Sequence, residues 1–252
     1  MLKSEAQAIA NYRGGLPAMS ETETNTPDSK SQYFFHAPVI TGFISRVSWF
    51  ARKRMFASVM DMARPTSDTS VLDVGVTNDS RRDSNFFEKL YPYPNRITAI
   101  GTEDASFLEQ QYQGMKFFKT DGGPLPFPDQ SFDLVVSFAV IEHVGSRDRQ
   151  RAFLAELCRV GKSVCITTPN RWYPMEFHTF QPLVHWLPAP VFRNYLRFIG
   201  NDFLAQEENL NLLGHDDVLS MVPKDRSVTT RHFRLLGPIS NLFFYITNKP
   251  LS

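Results

Sequence analysis

The stretch Lys116 to Val144, KFFKTDGGPLPFPDQSFDLVVSFAVIEHV, limits the fold more than any other part of this chain. Its middle, Asp121-Gly122-Gly123-Pro124-Leu125-Pro126-Phe127-Pro128-Asp129, carries three prolines in nine residues. No helix runs through it, because each proline lacks an amide donor and fixes φ. On either side lie runs of strand length and β-rich composition, Lys116 to Thr120 and Phe132 to Phe138. An acid closes the first run, and Glu142-His143 follow the second. In an open α/β sheet the carboxyl ends of the strands are where ligands bind.

The flanking sequence alternates between strand and helix, which argues for a parallel sheet with helices on both faces. Val71 to Val76 is the first strand, with a short helix over Asn85 to Tyr91. Arg96 to Gly101 is the second, with a helix over Ala105 to Gln113. Arg149 to Val160 is an amphipathic helix and Lys162 to Thr168 a fifth strand, ended by Pro169-Asn170. Val228 to Leu235 and Asn241 to Asn248 flank Gly237-Pro238 closely enough for a hairpin. Phe43 to Ala63 reads as a basic amphipathic helix, with Val47, Phe50, Val59, Met60 and Ala63 on one face. It either packs beside the first strand or lies on an anionic membrane surface. Residues 1–32 read as a disordered tail, since Met19 to Ser31 has almost nothing apolar to bury.

The ordered set Asp121, Leu125-Pro126-Phe127, Ser131-Phe132-Asp133 and Glu142-His143-Val144 resembles the class I S-adenosylmethionine (SAM)-dependent methyltransferases, in particular the small-molecule branch that includes the quinone-biosynthesis enzymes. The resemblance implies a Rossmann-like α/β fold over residues 33–252. That fold is a mostly parallel seven-stranded sheet with helices on both faces and a C-terminal antiparallel hairpin. It also implies S-adenosyl-L-methionine as cofactor and a helix over the cofactor cleft, so that Phe34, Phe35 and Trp49 contact substrate. Asp73, Gly75 and Thr77 stand where the family carries a glycine-rich loop, Thr77 and Asp79 replacing its later glycines. The family's ribose-binding acid aligns with Gly101, so Glu103 is the candidate to reach in from the loop; helix capping by Glu103 and Asp104 is the alternative. Asp121 is the expected acceptor from the adenine amino group, with Gly122 beside the ring. Ser137 and Phe138 are expected beside the methionine moiety.

Methyl transfer from a sulfonium is an in-line displacement that needs alignment and exclusion of water, with a base when the nucleophile is a hydroxyl or acidic carbon. His143 and His178 each follow the carboxyl end of a strand and are the candidate bases. Glu176, His178 and His185 match no ligand spacing of known metal sites, so no metal is expected. Residues 170–225 exceed what a crossover needs and are rich in aromatics, making this aromatic, helical insertion the candidate substrate region for an apolar or glycosylated small molecule. The contrasting reading is a catalytically degenerate methyltransferase-like protein with a binding role.

Composition narrows the partners. A formal net charge of +1 in 252 residues makes no electrostatic case for nucleic acid. No apolar run reaches the ~20 residues of a membrane span, and a cytoplasmic protein with at most peripheral membrane contact is expected. The two cysteines, Cys158 and Cys165, match no zinc or redox spacing and read as buried thiols.

Overall fold

The computed structural model describes residues 41–79, 81 and 84–249. The expected tail and Phe34 and Phe35 lie outside them. The elements run α1 (Thr41–Ala63), β1 (Val71–Val74), α2 (Phe86–Leu90), β2 (Ile97–Gly101), α3 (Phe107–Gln111), β3 (Lys116–Lys119), β4 (Phe132–Phe138), α4 (Arg147–Val160), β5 (Gly161–Pro169), α5 (Ala189–Phe198), α6 (His215–Met221), β6 (Arg226–Arg234) and β7 (Ile239–Asn248).

The strands form one seven-stranded sheet in the order β3-β2-β1-β4-β5-β7-β6. The first five in that order are parallel, and β7 runs antiparallel to β5 and β6. Strand periodicity separates two cores. Leu72, Val135, Val164, Ile166, Phe244 and Ile246 share one face with Leu154 and Leu157 of α4 and Val218 of α6. Val71, Leu134, Val136, Cys165 and Phe243 share the other with Phe56 and Val59 of α1, Phe86 and Phe87 of α2 and Leu108 of α3. Both faces are therefore covered, as a parallel sheet requires. Cys158 and Cys165 fall in opposite cores as free thiols, and burial pushes the Cys158 thiol up to about 11.

The helix α1 packs on the sheet. Met55, Phe56 and Val59 are buried, and Arg52 and Arg54 lie over the rings of Phe86 and Phe233. Phe50, expected on the packed face, is instead exposed. At the other end, the β6–β7 hairpin turns through Leu236 and Gly237, both at positive φ (52° and 105°), closed by the Leu235 amide donating to Pro238 O at 3.1 Å.

The aromatic segment after β5 is less helical than its composition suggested: α5 and α6 are its only α-helices among the described residues. Phe192, Leu196, Leu204, Ala205, Leu210 and Leu212 form a small core of their own. The segment is anchored to the sheet edge, where the Arg171 amide donates to Leu213 O at 3.0 Å and the Asn170 amide to Ser240 O at 2.9 Å.

Candidate active site at the carboxyl edge of the sheet

The carboxyl ends of β3, β2, β1, β4 and β5 lie side by side, and nearly every residue singled out in the sequence sits on or near this edge. At β1, Gly75 has φ +109°, and a Cβ there would lie 2.2 Å from Val140 Cγ2. The glycine is thus required twice, by its backbone conformation and by the turn that follows β4. Asp73 sits deeper, on the same face as Val71, beside Glu88 of α2. Burial first and the neighbouring Glu88 charge second push the Asp73 carboxyl well above its usual range. Burial raises Glu88 as well. Both acids are thus buried beneath the loop with their carboxyls raised.

The loop after β1 is held by side chains. Asn85 Oδ1 accepts from the Thr77 amide at 3.1 Å, and Asn85 Nδ2 donates back to Thr77 O at 2.8 Å. Glu103 Oε2 accepts from the Asn78 amide at 3.0 Å. This explains Gly101: a Cβ there would lie 2.2 Å from Val76 O, so an acid at this position has no room. The carboxylate at the β1–β2 mouth comes from Glu103, two residues later, and its Oε1 makes no hydrogen bond among the described residues.

At β3 the chain turns through Gly122 at φ +86°. The Thr120 amide donates to Gly101 O at 2.9 Å, which seats the turn beside the end of β2. Asp121 Oδ1 accepts from the Gly123 amide at 3.0 Å, a turn in which the other carboxylate oxygen stays open to solvent. A Cβ on Gly122 would meet nothing nearer than Thr102 Cγ2 at 3.9 Å. The proline-rich loop beyond is fastened by Arg159 of α4, which donates to Leu125 O, Phe127 O and Asp129 Oδ1 at 3.0, 2.9 and 2.7 Å.

At β4, Ser137 is buried and its hydroxyl donates to Val74 O at 2.9 Å, a bond between neighbouring strands. The ring of Phe138 packs on Phe86 and Phe87, with centroids 4.7 and 5.9 Å apart. These two residues shape the wall behind β1 and β4.

The carboxyl ends of β4 and β5 bring the two candidate bases together. His143 lies in the turn Ile141–His143 and His178 in the turn that follows β5, yet their Nε2 atoms are 3.2 Å apart. His143 Nδ1 lies 2.6 Å from Asn209 O, and His178 Nδ1 lies 2.6 Å from Glu176 Oε1. A carbonyl oxygen only accepts, so His143 Nδ1 carries the proton, and the neutral ring offers Nε2 as an acceptor. His178 then donates from both nitrogens, making it an imidazolium paired with Glu176.

The surrounding electrostatics agree. Glu176 also accepts from the amides of His178 and Thr179 and from Thr179 Oγ1. Burial opposes ionisation of Glu176, but the His178 charge and these hydrogen bonds outweigh it and hold the carboxyl down at about 2. Burial likewise works against the His178 charge and is overcome by Glu176, so His178 sits above its ordinary value. For His143, burial first and the His178 charge second depress the ring to about 3. Next to them Glu142 is fully buried; Oε2 accepts from Thr168 Oγ1 at 2.9 Å, and burial pushes the carboxyl up to about 7.

This corner is built by the chain's own packing. Gln150 of α4, with no exposed surface, donates to Ile141 O and Asn211 O at 3.0 and 2.8 Å. The Asn211 amide donates to Glu142 O at 2.7 Å. The segment 209–212 is thereby clamped over the turn that carries His143. His185, grouped in the sequence with Glu176 and His178, is elsewhere: its Nε2 pairs with Tyr173 O at 2.8 Å. Sequence reasoning missed Asn85, Thr168 and Gln150, whose roles depend on contacts across elements and carry no local signal.

The donors present fit the cofactor that the resemblance implies. Asp121 with an open carboxylate oxygen, the uncrowded Gly122 backbone and Glu103 at the β1–β2 mouth would hold the adenosine part, and the tight Gly75 turn would lie under the methionine part. The bound cofactor supplies a methyl group on sulfur to a nucleophile aligned with it.

Residues 83–165 match the methyltransferase domain family. No curated protein matches the chain in sequence. Among solved structures, a SAM-dependent methyltransferase from Methanosarcina mazei is similar, with 15% identity over 77% of this chain and 98% of that one and a TM-score of 0.50. The magnesium protoporphyrin IX methyltransferase of Synechocystis PCC 6803, with bound SAH, aligns at 12% identity over 86% and 91%, with a TM-score of 0.54. A putative methyltransferase from Haloferax volcanii, in complex with the activator Trm112, aligns at 12% over 82% and 92%, with a TM-score of 0.53. At these identities the likeness is one of fold, and the domain match spans β2, β3, β4 and about half of β5. With both in hand, the chain has the Rossmann-like fold of the class I methyltransferases, and its residues 83–165 match the methyltransferase domain family.

Proposed function

We propose that the chain transfers the methyl group of SAM to a small-molecule acceptor held beside the His143–His178 pair and covered by residues 170–225. The observation that carries this reading is the order of groups along the sheet edge. Asp121 follows β3, Glu103 follows β2, Gly75 follows β1, and His143 and His178 follow β4 and β5. Three strand spacings separate β3 from β4, about 14 Å at the usual 4.8 Å between strands, room for a nucleoside with an amino-acid tail. An acceptor then has its place at the far end, next to the histidines.

The aromatic segment supports an acceptor with apolar surface. Tyr173 and Phe177 stack at 5.0 Å, and Trp172 and Trp186 lie 6.5 Å apart and exposed beside Arg171. Such rings exclude water and bind flat apolar groups. Since His178 is charged and His143 gives its accepting nitrogen to His178, neither ring is a ready base. Their role in this reading is to orient a polar group of the acceptor, and proton uptake by His143 follows only when the His178 hydrogen bond is displaced.

The test is transfer of labelled methyl from SAM to members of a panel of phenolic, carboxylic and amino acceptors, with wild type and with His178→Ala. Labelled product from wild type, at least tenfold slower in the variant with SAH affinity unchanged, supports the reading. Equal rates would remove the histidine pair from the acceptor site.

A further inference from the structure

We propose that Glu142, His143 and His178 form a binding site for a divalent transition-metal ion, with Zn2+ the best match. The three side chains each offer one ligand atom, and those atoms all lie within 4.8 Å of one another. The two Nε2 atoms are 3.2 Å apart. Two zinc–nitrogen bonds of about 2.0–2.1 Å at a tetrahedral angle span about 3.3 Å, so the two nitrogens already stand at the separation a shared metal requires.

The atoms behind the ligands point the same way. A metal-binding imidazole donates its other ring N–H to a carboxylate or carbonyl, which fixes the tautomer and aims the free nitrogen. Here both rings have that partner: Glu176 Oε1 behind His178 and Asn209 O behind His143, each at 2.6 Å. Glu176 is itself fixed by two amides and the Thr179 hydroxyl. Glu142 supplies an independent sign. Its Oε1 is buried and has no hydrogen-bond partner among the described residues, while its Oε2 is held by Thr168. A fully buried carboxylate oxygen left bare is costly, and a cation would satisfy it.

The chemistry of the set selects the metal class. Two imidazoles and one carboxylate suit Zn2+ and its first-row neighbours, whereas Mg2+ and Ca2+ prefer all-oxygen shells. Three protein ligands leave a fourth position for water or for an oxygen of a bound molecule. Charge also balances: the ion takes the place of the proton that His178 shares with His143, and with Glu142 ionised the two carboxylates, Glu142 and Glu176, neutralise its two positive charges. Binding therefore releases protons and strengthens as pH rises.

Zn2+ binding is read without methyl transfer, so the test stands apart from the proposed reaction. Full-length protein treated with chelator and dialysed is titrated with ZnCl2 against a chromophoric competitor, and with CoCl2 by visible absorption. The expected result is one equivalent bound at or below micromolar concentration, with the d–d bands of four-coordinate Co2+ and affinity higher at pH 8 than at pH 6. Glu142→Gln and His178→Ala should each lose this binding, and Glu176→Gln, which only loosens the His178 ring, should weaken it tenfold to a hundredfold. Near-UV circular dichroism confirms that each variant is folded; should His178→Ala fail to fold, Glu142→Gln decides. Absence of stoichiometric Zn2+ binding in the wild type, or binding that Glu142→Gln leaves unchanged, overturns the proposal.

Discussion

His143 Nε2 and His178 Nε2 stand 3.2 Å apart, and the acceptors behind the two rings decide which of them is charged. The carbonyl of Asn209 makes His143 a neutral ring, and the carboxylate of Glu176 makes His178 an imidazolium. The pair joins the turn after β4 to the turn after β5, thirty-five residues on.

From this follows a titration. In metal-free protein, the ring of His178 should titrate above 6.5 and that of His143 near 3, resolved by NMR of labelled imidazoles. Glu176→Gln should return His178 to or below 6.5. The sign for stability follows: a raised folded-state value makes the His178 contribution fully present below about pH 6.5 and lost as pH rises through the folded value. Glu176→Gln should also cost about 3 kcal/mol at pH 6, since it strands a buried charge. A variant whose melts match the wild type would refute the ion pair.

Asp73 and Glu88 supply a second pH dependence. The Asp73 carboxyl is raised by burial and by Glu88, so the folded state binds protons that the unfolded chain releases. Stability from this site is therefore present at low pH and falls as pH rises from about 4 upward. Asp73→Asn keeps the shape and removes the charge. In urea melts the variant should gain on the wild type between pH 5 and pH 8; an equal slope in both proteins would contradict the raised Asp73 carboxyl.

Gly101→Ala tests the steric account of the β2 end. A Cβ 2.2 Å from Val76 O forces the backbone to move, and the expected loss is about 1–3 kcal/mol. The same substitution at Gly122, where a Cβ meets nothing under 3.9 Å, keeps the space but strains a residue at φ +86°, for a loss of about 1 kcal/mol. Chemical denaturation ranks the two, and a Gly101→Ala variant as stable as wild type would show that the loop after β1 is free to yield.

The parts of the molecule that were legible in the sequence are those fixed by local chemistry. Three prolines between two β-rich runs specify β3, β4 and their loop, and alternation of strand and helix signals specifies the rest of the parallel sheet. Boundaries shifted by at most two residues, as at α4, which begins at Arg147 because Ser146 caps it. The site was legible one residue at a time. His143 and His178 each appeared as a residue after a strand, but their contact depends on how the turn after β5 folds back through Glu176, which no spacing rule reports. The missing ribose acid looked like a loss of function in the linear pattern. Packing accounts for the glycine: Val76 O fills the space at Gly101, and in the proposed site the ribose contact falls to Glu103 of the next loop, whose Oε2 accepts from the Asn78 amide. Phe50 and the low helical content of the segment after β5 were misread because exposure and chain reversal there are set by tertiary contacts.

At the centre of the proposed function is a cofactor whose adenine end lies at the carboxyl end of β3, against Asp121. Calorimetric titration of SAH into wild type and Asp121→Ala tests it most directly. The account predicts a single site in the wild type and a loss of about 1.5–3 kcal/mol in the variant, one charge-assisted hydrogen bond, with the thermal midpoint unchanged. Equal affinity in the two proteins, or no SAH binding by the wild type at millimolar ligand, would contradict it.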